Sequence, residues 1–372
     1  MTDYNITPLV RSLPATVPFV GPETQERERG RSFTARIGAN ENVFGPSPIV
    51  IEVISRAAAE SWMYGDPEIH ELRHAIAQHH GVGMENILIG EGIDGLLGYV
   101  VRMFIEQGDK VVTSAGAYPT FNYHVVGYGG CLELVPYQND HEDPEGLLES
   151  TIAHQAKLVY LANPDNPMGT WWTADVVDAM IQGVRKGSLL LLDEAYGEFA
   201  PPGTLPAIDT SDSRVLRFRT FSKAYGLAGM RVGYAIGESG LIREFDKVRN
   251  HFGVGRVAQA AALAALADTD YLKKVTTQVE SARDRIAGIA SDNGLSTLSS
   301  AANFVAIDCG QDGEYATAVL KELVRGGVFV RMPGVAPMNR CIRVTVGFDY
   351  QLDMFASTLP LAVEKATRAL FS

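Results

Sequence analysis

Five side chains in the middle of this 372-residue sequence are of types that together can do chemistry on an amine. Asn166 stands in the segment NPDNPMG, Asp193 and Tyr196 open and close the segment DEAY, and Lys223 and Arg231 belong to TFSKAYGLAGMR. A lysine amine can hold an aldehyde as a Schiff base, and a carboxylate can keep a pyridine nitrogen protonated. A cofactor that combines an aldehyde with a pyridine ring would use both groups at once.

A glycine-rich segment upstream could hold a phosphate group. The residues 90–95 (GEGIDG) follow a predicted strand over 87–89 and open a predicted helix over 95–105. Free backbone N–H groups at the start of a helix bind anions, with support from the helix dipole. The segment also fits the GxGxxG pattern of dinucleotide sites, but such a site needs an acidic residue at the end of the next strand, and here Asp109 precedes that strand. A phosphate cradle and a plain tight turn both stay open for this segment.

The other three segments each follow a short apolar run that predicts a β-strand. These runs are Leu158–Leu161, Leu189–Leu192 and Val215–Phe218, and helical stretches separate them. Strands that alternate with helices predict a mainly parallel α/β sheet with helices on both faces. Because open α/β sheets bind ligands beyond the carboxyl ends of their strands, we expect the four polar segments to form one crevice. Pyridoxal phosphate fits that crevice, since it needs a lysine, a carboxylate, an amide, a tyrosine and a phosphate cradle together.

Length, charge and cysteine content bound the class of protein. The chain is long enough for two domains, and we expect an N-terminal arm over 1–38, a large domain over 39–254 and a small C-terminal domain over 255–372. A formal charge of −12 argues against non-specific binding to nucleic acid or anionic membranes. The three scattered cysteines build no disulfide framework, and we find no signal peptide or membrane-length apolar run. The sequence therefore predicts a cytoplasmic protein.

Two helices are predicted in detail. Asp66 and Pro67 should cap and open a helix that ends near His80, and a long helix should run from Ala258 to about Ile289. His70 and His74 share one face of the first helix, and two further histidines follow at 79 and 80. No third metal ligand stands at a suitable spacing, so we interpret these histidines as a solvated helix face and predict no metal site.

The sequence resembles the fold-type I aminotransferases that depend on pyridoxal 5′-phosphate, and in particular their histidinol-phosphate aminotransferase branch. The resemblance extends from Asn40–Asn42 (NEN) to Arg343 and rests on the ordered motifs NPxNPxG, DEAY and SKxxGLAGxR. It implies a large domain with a mainly parallel, seven-stranded sheet sandwiched by helices, and a smaller α+β C-terminal domain. It also implies a ping-pong transfer of an amino group between a donor and 2-oxoglutarate or glutamate.

Most of the site residues that the resemblance implies would hold the cofactor. Lys223 would carry its aldehyde and later move a proton, Asp193 would pair with the ring nitrogen, and Asn166 and Tyr196 would hydrogen-bond its phenolic oxygen. Lys223, Asp193 and Tyr196 would thus be catalytic, and Phe121 would stack on the ring. The remaining cofactor-binding residues, most of them around the phosphate, would be Gly92, Ile93, Asp94, Thr220, Ser222 and Arg231.

A second implied set would bind the substrate. Arg343 would take the substrate carboxylate as a fork, and Arg331 would take the other anionic group. Asn42 and Phe19 complete this set. Tyr64, in YGDP, would reach the cofactor phosphate of the neighbouring subunit, which implies a homodimer with shared active sites. The other implied partners are a small-molecule amino donor and a 2-oxo acid.

The identity of the amino donor stays open at this point. The family pattern has a tyrosine near the position of Phe19, whose hydroxyl would help to hold a substrate phosphate, and the segment Met332–Pro337 beside Arg331 is apolar. A lost hydrogen bond to a charged group costs about 1.5–3 kcal/mol of binding free energy. Histidinol phosphate and an aromatic amino acid are therefore both candidate donors.

Three other functions fit parts of the pattern. A decarboxylase of the threonine-phosphate type would use the same scaffold and cofactor, and would release CO₂ without an acceptor. A transcription regulator built on this fold would need a DNA-binding domain for which the N-terminal arm is too short. An NAD-dependent dehydrogenase would show no visible absorbance, whereas protein-bound pyridoxal phosphate is yellow.

Overall fold

The computed structural model describes residues 4–15 and 20–371, and its largest layer is a seven-stranded β-sheet. The strands of the chain are β1 (Ala35–Arg36), β2 (Ile87–Gly90), β3 (Lys110–Ser114), β4 (Cys131–Val135), β5 (Leu158–Ala162), β6 (Leu189–Asp193), β7 (Val215–Thr220), β8 (Gly233–Ile236), β9 (Ser296–Thr297), β10 (Phe304–Asp308), β11 (Val328–Phe329) and β12 (Cys341–Thr345). The large sheet has the order β2-β8-β7-β6-β5-β3-β4, and β8 runs antiparallel to both of its neighbours. The remaining pairs are parallel, so the predicted mainly parallel α/β sheet is confirmed.

Helices pack on both faces of this sheet. The helices of the described chain, some of which pack elsewhere, are α1 (Pro8–Ser12), α2 (Pro22–Arg29), α3 (Pro48–Ala58), α4 (His70–His80), α5 (Gly92–Phe104), α6 (Pro119–Gly127), α7 (Pro144–Ala153), α8 (Ala174–Gly183), α9 (Ser239–Glu244), α10 (Arg256–Ala267), α11 (Thr269–Asp292), α12 (Gly313–Gly326) and α13 (Asp349–Phe371). In the part of the chain that the structure describes, no helix is long and apolar enough to cross a membrane.

Strand β5 shows how the two faces are built. Its side chains alternate, so that Leu158 and Tyr160 pack with α5 and α6, whereas Val159 and Leu161 pack with α7 and α8. Every residue of β5, β6 and β7 is buried. A strand covered on both faces reads as a continuous apolar run, as β5 and β6 do, whereas β7 alternates its apolar residues with the buried Arg217 and Arg219.

A smaller sheet is formed by the C-terminal part of the chain. Strands β9, β10 and β12 pair antiparallel in the order β12-β10-β9. Near it, the N-terminal segment adds β1 in parallel to β11, and the backbone N–H of Thr34 donates to the carbonyl of Gly327 at 2.9 Å. The first part of the chain therefore contacts the C-terminal part, while the proposed domain boundary near residue 254 stays a prediction.

Helix α4 starts later than the sequence suggested. The side chain of Asp66 accepts hydrogen bonds from the backbone N–H groups of Glu68 and His70, at 3.0 and 2.8 Å, as a capping residue does. However, Ile69 adopts a left-handed conformation with φ of 50°, and the helix begins only at His70. The Asp-Pro pair therefore forms a turn before the helix rather than its first turn.

The predicted long helix after residue 258 is two helices. Helix α10 ends at Ala267 and α11 begins at Thr269, with Asp268 between them in a non-helical conformation. The Asp268 side chain accepts from the N–H of Tyr271 at 3.2 Å and so caps α11. Capping residues of this kind favour a new helix start over continuation of the old one.

The histidines of α4 do not all lie on a solvated face. His70, His74 and His79 are exposed, but His80 is half-buried and its Nε2 lies 2.8 Å from the hydroxyl oxygen of Tyr234. Burial, reinforced by nearby arginines, lowers the pKa of His80 to about 3. His80 is therefore a neutral hydrogen-bonding residue of the core. Among the described residues, no three or more His, Cys, Asp or Glu side chains are placed to hold a metal ion.

A buried ion-pair network lies behind the ends of β6 and β7. The carboxylate of Glu194 accepts from Arg217 Nη2 at 2.6 Å and from Arg219 Nε at 2.8 Å. Arg217 also donates to the carbonyls of Pro206 and Ala207. Burial alone would raise the pKa of Glu194, but the two guanidinium groups lower it by more than burial raises it. The pKa therefore lies below its usual value, and the carboxylate is charged. The network satisfies three charges that would otherwise be costly to bury.

We expect Glu194→Gln to lower the free energy of unfolding by about 3–5 kcal/mol, because the buried Arg217 would lose its counter-charge and Arg219 would keep only Glu198, at 3.6 Å. Glu52→Gln is the matched control, since Glu52 forms an exposed pair with Arg56 on α3 and should change the stability by less than about 1 kcal/mol. Urea unfolding followed by circular dichroism measures both values. Equal effects in the two variants would contradict the stabilising role of the buried network.

Candidate active site

The predicted site residues converge on a cavity of about 280 Å³ beyond the carboxyl ends of β5, β6 and β7. Nine of them line it: Ile93, Asp94, Asn166, Asp193, Tyr196, Thr220, Ser222, Lys223 and Arg231. These residues come from four segments that are distant in sequence, and the sheet brings them to one edge. The roles of the individual residues stay predictions.

Lys223 presents a buried amine to this cavity. Its Nζ donates to the carbonyl of Asn40 at 2.9 Å and lies 5.4 Å from the centre of the Tyr196 ring. Burial, together with the positive charges of Arg343 and Arg231, lowers the pKa of Lys223 to about 8. About a tenth of this amine is therefore unprotonated at pH 7, far more than for an ordinary lysine, and the unprotonated form is the one that attacks an aldehyde.

Asn40 is a functional residue that the sequence reasoning missed. Its side-chain amide donates to the Tyr196 hydroxyl at 3.0 Å, and its carbonyl accepts from both Lys223 and Asn303. Asn40 has φ of 56°, a left-handed conformation that asparagine tolerates better than most residues. Its place at the start of the NEN segment was the available signal, but nothing in the sequence indicated its contacts.

Asp193 is the buried carboxylate of the site. Its Oδ1 accepts from the N–H of Ala195 at 2.9 Å, and its Oδ2 accepts from the hydroxyl of Tyr160 at 2.7 Å. Burial raises the pKa of Asp193 to about 6, although these two hydrogen bonds oppose the rise. At neutral pH the carboxylate is mostly charged, and it fits a protonated ring nitrogen as its counter-ion.

The glycine-rich segment forms the start of α5. The helix begins at Gly92 rather than at Gly95, and Gly92 has φ of 76°. A Cβ atom at Gly92 would lie 2.5 Å from Arg231 Nη2, so only glycine lets the guanidinium approach this backbone. Arg231 Nη1 also donates to the Ser222 hydroxyl at 3.3 Å. Free N–H groups, a guanidinium and a hydroxyl thus meet at one place, as a phosphate group requires.

Phe121 does not lie where the resemblance placed it. The residue is completely buried beneath the cavity, and its ring stacks on Tyr160 with 4.9 Å between ring centres. Tyr118 lines the cavity instead. Helix α6 starts at Pro119, so Tyr118 stays on the loop before the helix while Phe121 turns into the core. Tyr118 is therefore the aromatic side chain available to a bound ring.

The two predicted substrate arginines lie at the small sheet and are not among the residues that line the cavity. Arg343 and Arg331 are joined by backbone hydrogen bonds, and Arg343 Nη1 donates to Asn166 Oδ1 at 2.6 Å. Burial lowers the pKa of Arg343 to about 10, yet it stays protonated at neutral pH. Its Nε is buried and has no hydrogen-bond partner among the residues that the structure describes. This pair of guanidinium groups can bind anionic substrate groups.

Three other predicted residues have different positions. The Asn42 side chain donates to the carbonyls of Lys223 and Ala224, both at 3.1 Å, and so supports the lysine loop. Tyr64 is 79% exposed, packs on Phe252 and does not line this subunit's cavity. The prediction for Phe19 lies outside the described residues.

The comparison with known proteins identifies the family. The model of the family "Aminotransferase class I and II" matches residues 35–359. The chain belongs to the class I and II aminotransferases. The histidinol-phosphate aminotransferase of Anaeromyxobacter sp. (strain Fw109-5) is 35% identical over 92% of this chain and 94% of that protein. Histidinol-phosphate aminotransferase 1 of Mesorhizobium japonicum is 33% identical over 87% of this chain and 89% of that protein.

A solved structure is similar to this aminotransferase over nearly its whole length. The histidinol-phosphate aminotransferase from Sinorhizobium meliloti, crystallised in complex with pyridoxal-5′-phosphate, is 54% identical and superposes with a TM-score of 0.95 over 98% of both chains. The family, the fold, the aminotransferase reaction and the dependence on pyridoxal phosphate that the motifs predicted are therefore confirmed.

We expect the Lys223 amine of the cofactor-free protein to react with a small acylating reagent at half-maximal rate near pH 8, because only the unprotonated amine reacts. Arg343→Leu should move this midpoint to higher pH, since it removes a positive charge that favours the neutral amine. Arg56→Leu, in an exposed ion pair, should leave it unchanged. Peptide mass spectrometry measures the rate at Lys223, and a midpoint near 10.5 would contradict the buried-amine geometry.

Proposed function

We propose that this aminotransferase transfers the amino group of histidinol phosphate to 2-oxoglutarate, and that it works as a cytoplasmic homodimer. Pyridoxal phosphate, when bound, supplies an aldehyde that takes up the amino group and a pyridine ring that accepts electron density. Asp193 would hold the protonated ring nitrogen, while Ser222, Arg231 and the start of α5 would hold the phosphate. These assignments rest on the charges and hydrogen bonds of the described side chains.

Lys223 and Tyr196 would carry out the proton chemistry around the bound cofactor. Lys223 would first hold the aldehyde, and its released Nζ would then move the proton at the amino-bearing carbon of the substrate. The lowered pKa of Lys223 supports this role, because an amine with a pKa of about 8 can both accept and release a proton near neutral pH. Tyr196, held by Asn40, and Asn166 would hydrogen-bond the phenolic oxygen of the cofactor.

The pair of arginines at the small sheet is the observation that carries the substrate proposal. Histidinol phosphate has a phosphate and no carboxylate, whereas glutamate has two carboxylates. A ping-pong enzyme must bind both in one site, and planar guanidinium groups bind phosphate and carboxylate alike. Arg331 and Arg343 lie side by side at the small sheet, next to Asn166. The names of the related proteins support histidinol phosphate as the donor.

The N-terminal arm contacts one of these two arginines. Arg331 Nη2 donates to the carbonyl of Val20 at 2.9 Å, so the chain directly after residue 19 contacts a proposed substrate arginine.

An aromatic amino acid stays the second candidate donor, because the apolar segment Met332–Pro337 would suit an aromatic side chain. A decarboxylase is not favoured, because the related proteins are aminotransferases.

An exposed aromatic patch supports the homodimer. Trp62 is 81% exposed, Tyr64 is 79% exposed, and Phe252 packs on Tyr64. Large apolar side chains grouped on a surface are typical of protein interfaces. In a homodimer with shared sites, Tyr64 would reach the phosphate of the partner's cofactor. The cytoplasmic location is supported by the three cysteines, which are all free in the structure.

Half-reactions with single substrates test the donor. We expect the visible absorbance of the bound cofactor to fall when histidinol phosphate or glutamate is added, and to change much less with phenylalanine, tyrosine or threonine phosphate. Arg343→Leu should weaken the response to both active substrates by about 10- to 100-fold, because it removes hydrogen bonds to a charged group. Lys223→Ala should give no response.

Other outcomes of this experiment have definite meanings. A response to aromatic amino acids and glutamate alone would overturn histidinol phosphate as the donor. Release of CO₂ from threonine phosphate without an acceptor would overturn the aminotransfer reaction itself. A normal response in Lys223→Ala would contradict the role of the lysine.

Mixed dimers test the shared site. Lys223→Ala subunits keep Tyr64, and Tyr64→Ala subunits keep Lys223, so each hybrid dimer contains one complete site and one site that lacks both residues. If subunits exchange at random, half of the dimers are hybrids, and the mixture should recover about a quarter of the wild-type activity. Activity that merely equals the average of the two separate variants would contradict a Tyr64 contribution across the interface.

A further inference from the structure

Tyr160 is a buried polar residue whose hydroxyl points at the reaction site. It lies in the middle of β5, is completely buried by its surroundings, and its ring borders the cavity. Its hydroxyl donates to Oδ2 of Asp193 at 2.7 Å. The other oxygen of Asp193 accepts from the backbone N–H of Ala195. One donor from a side chain and one from the backbone thus fix both oxygens of the carboxylate.

The sheet register explains why these two residues meet. Ala162 lies opposite Asp193 in the parallel pair of β5 and β6, and Tyr160 is two residues earlier in β5. Side chains two residues apart point to the same face, so the long Tyr160 side chain can reach along that face to Asp193. Phe121 stacks on the ring of Tyr160 with an angle of 19° between the ring planes and limits its movement.

We propose that Tyr160 is a positioning residue that orients the Asp193 carboxylate and keeps it charged for the cofactor ring. The inference rests on the proposed role of Asp193 as the partner of the ring nitrogen. It also explains the position of Phe121, which acts on the site indirectly by holding Tyr160.

The balance of charges around Asp193 makes this hydrogen bond important. Burial raises the pKa of Asp193 to about 6, the neighbouring Glu194 raises it as well, and the bonds from Tyr160 and Ala195 together with the charge of Lys223 lower it. Burial and the adjacent carboxylate raise the pKa of the Tyr160 hydroxyl well above its ordinary value, so it stays a donor. The other titratable groups that Asp193 influences are Tyr118, Glu142 and Tyr196. Without the tyrosine hydroxyl, a larger part of the carboxyl population would be neutral at physiological pH.

Tyr160→Phe tests the proposal, and Tyr234→Phe is its matched control. Both changes remove one hydroxyl from a fully buried tyrosine of the large sheet, but the Tyr234 hydroxyl contacts His80 instead of the site. The dissociation constant of pyridoxal phosphate is measured between pH 5 and pH 9 for each variant. We expect Tyr160→Phe to weaken binding about tenfold at pH 7 and to move the acid midpoint of binding up by about one pH unit. Tyr234→Phe should change neither value.

The Asp193→Asn background shows whether Tyr160 acts through the carboxylate. In that background we expect Tyr160→Phe to change cofactor affinity less than twofold. Equal losses with and without Asp193 would overturn the proposal, as would wild-type affinity and pH dependence in Tyr160→Phe. Phe121→Leu keeps the hydroxyl but removes its stacking partner, and it should move the midpoint in the same direction by a smaller amount. A downward shift in that variant would also contradict the proposal.

A measurement on the cofactor-free protein separates this proposal from the proposed function. The ¹³C shift of the Asp193 carboxyl reports its pKa directly, and we expect that pKa to rise in Tyr160→Phe and to stay unchanged in Tyr234→Phe. An unchanged pKa in Tyr160→Phe overturns the link between the two residues. A failure of wild-type protein to react with any amine, with the pKa rise present, overturns the proposed function and leaves the link intact.

Discussion

Two neighbouring carboxylates at the end of β6 impose the constraint on which the rest of the site depends. Asp193 and Glu194 follow one another in sequence, and both are buried. The carboxylate of Glu194 is neutralised by Arg217 and Arg219. Asp193 lines the cavity, and its carboxylate has hydrogen-bond donors but forms no ion pair with any residue that the structure describes. A buried anion without a cationic partner is costly, and the cofactor ring nitrogen would supply the missing charge.

Lys223 presents the opposite case, because its surroundings disfavour a positive charge on its amine. Lys223 is surrounded by positive charge from Arg343 and Arg231, and burial favours its neutral form. The carbonyl of Asn40 accepts a hydrogen bond from Lys223 Nζ without adding a negative charge, so it orients the amine and adds no counter-ion that would raise its pKa. At neutral pH the site thus contains a mostly charged carboxylate and an amine that loses its proton far more easily than an ordinary lysine, which suits chemistry on an amine.

The small sheet completes the site from the other side. Thr345 of β12 bonds to Asn40, and Asn303, just before β10, donates to the carbonyl of the same residue. Arg343, on the same strand as Thr345, donates to Asn166. Three segments that are far apart in the sequence, around Asn40, Asn166 and Arg343, therefore meet through these hydrogen bonds. The position of the C-terminal part of the chain therefore decides whether Arg343 reaches Asn166 at the cavity.

The sequence by itself determined the parallel sheet, the cavity at its edge and most of the residues that line it. It could do so because buried strands are continuous apolar runs, and because the polar groups stand directly after them in NPDNPMG, DEAY and SKAYGLAGMR. Only the tertiary structure decided that Tyr118 rather than Phe121 faces the cavity, that Asn40 orients Lys223, and that Tyr160 holds Asp193. These contacts join residues of different elements, and they depend on helix starts, strand register and the direction of each side chain. Local sequence patterns do not show which residues of different elements come into contact, because burial and pairing are properties of the folded chain as a whole.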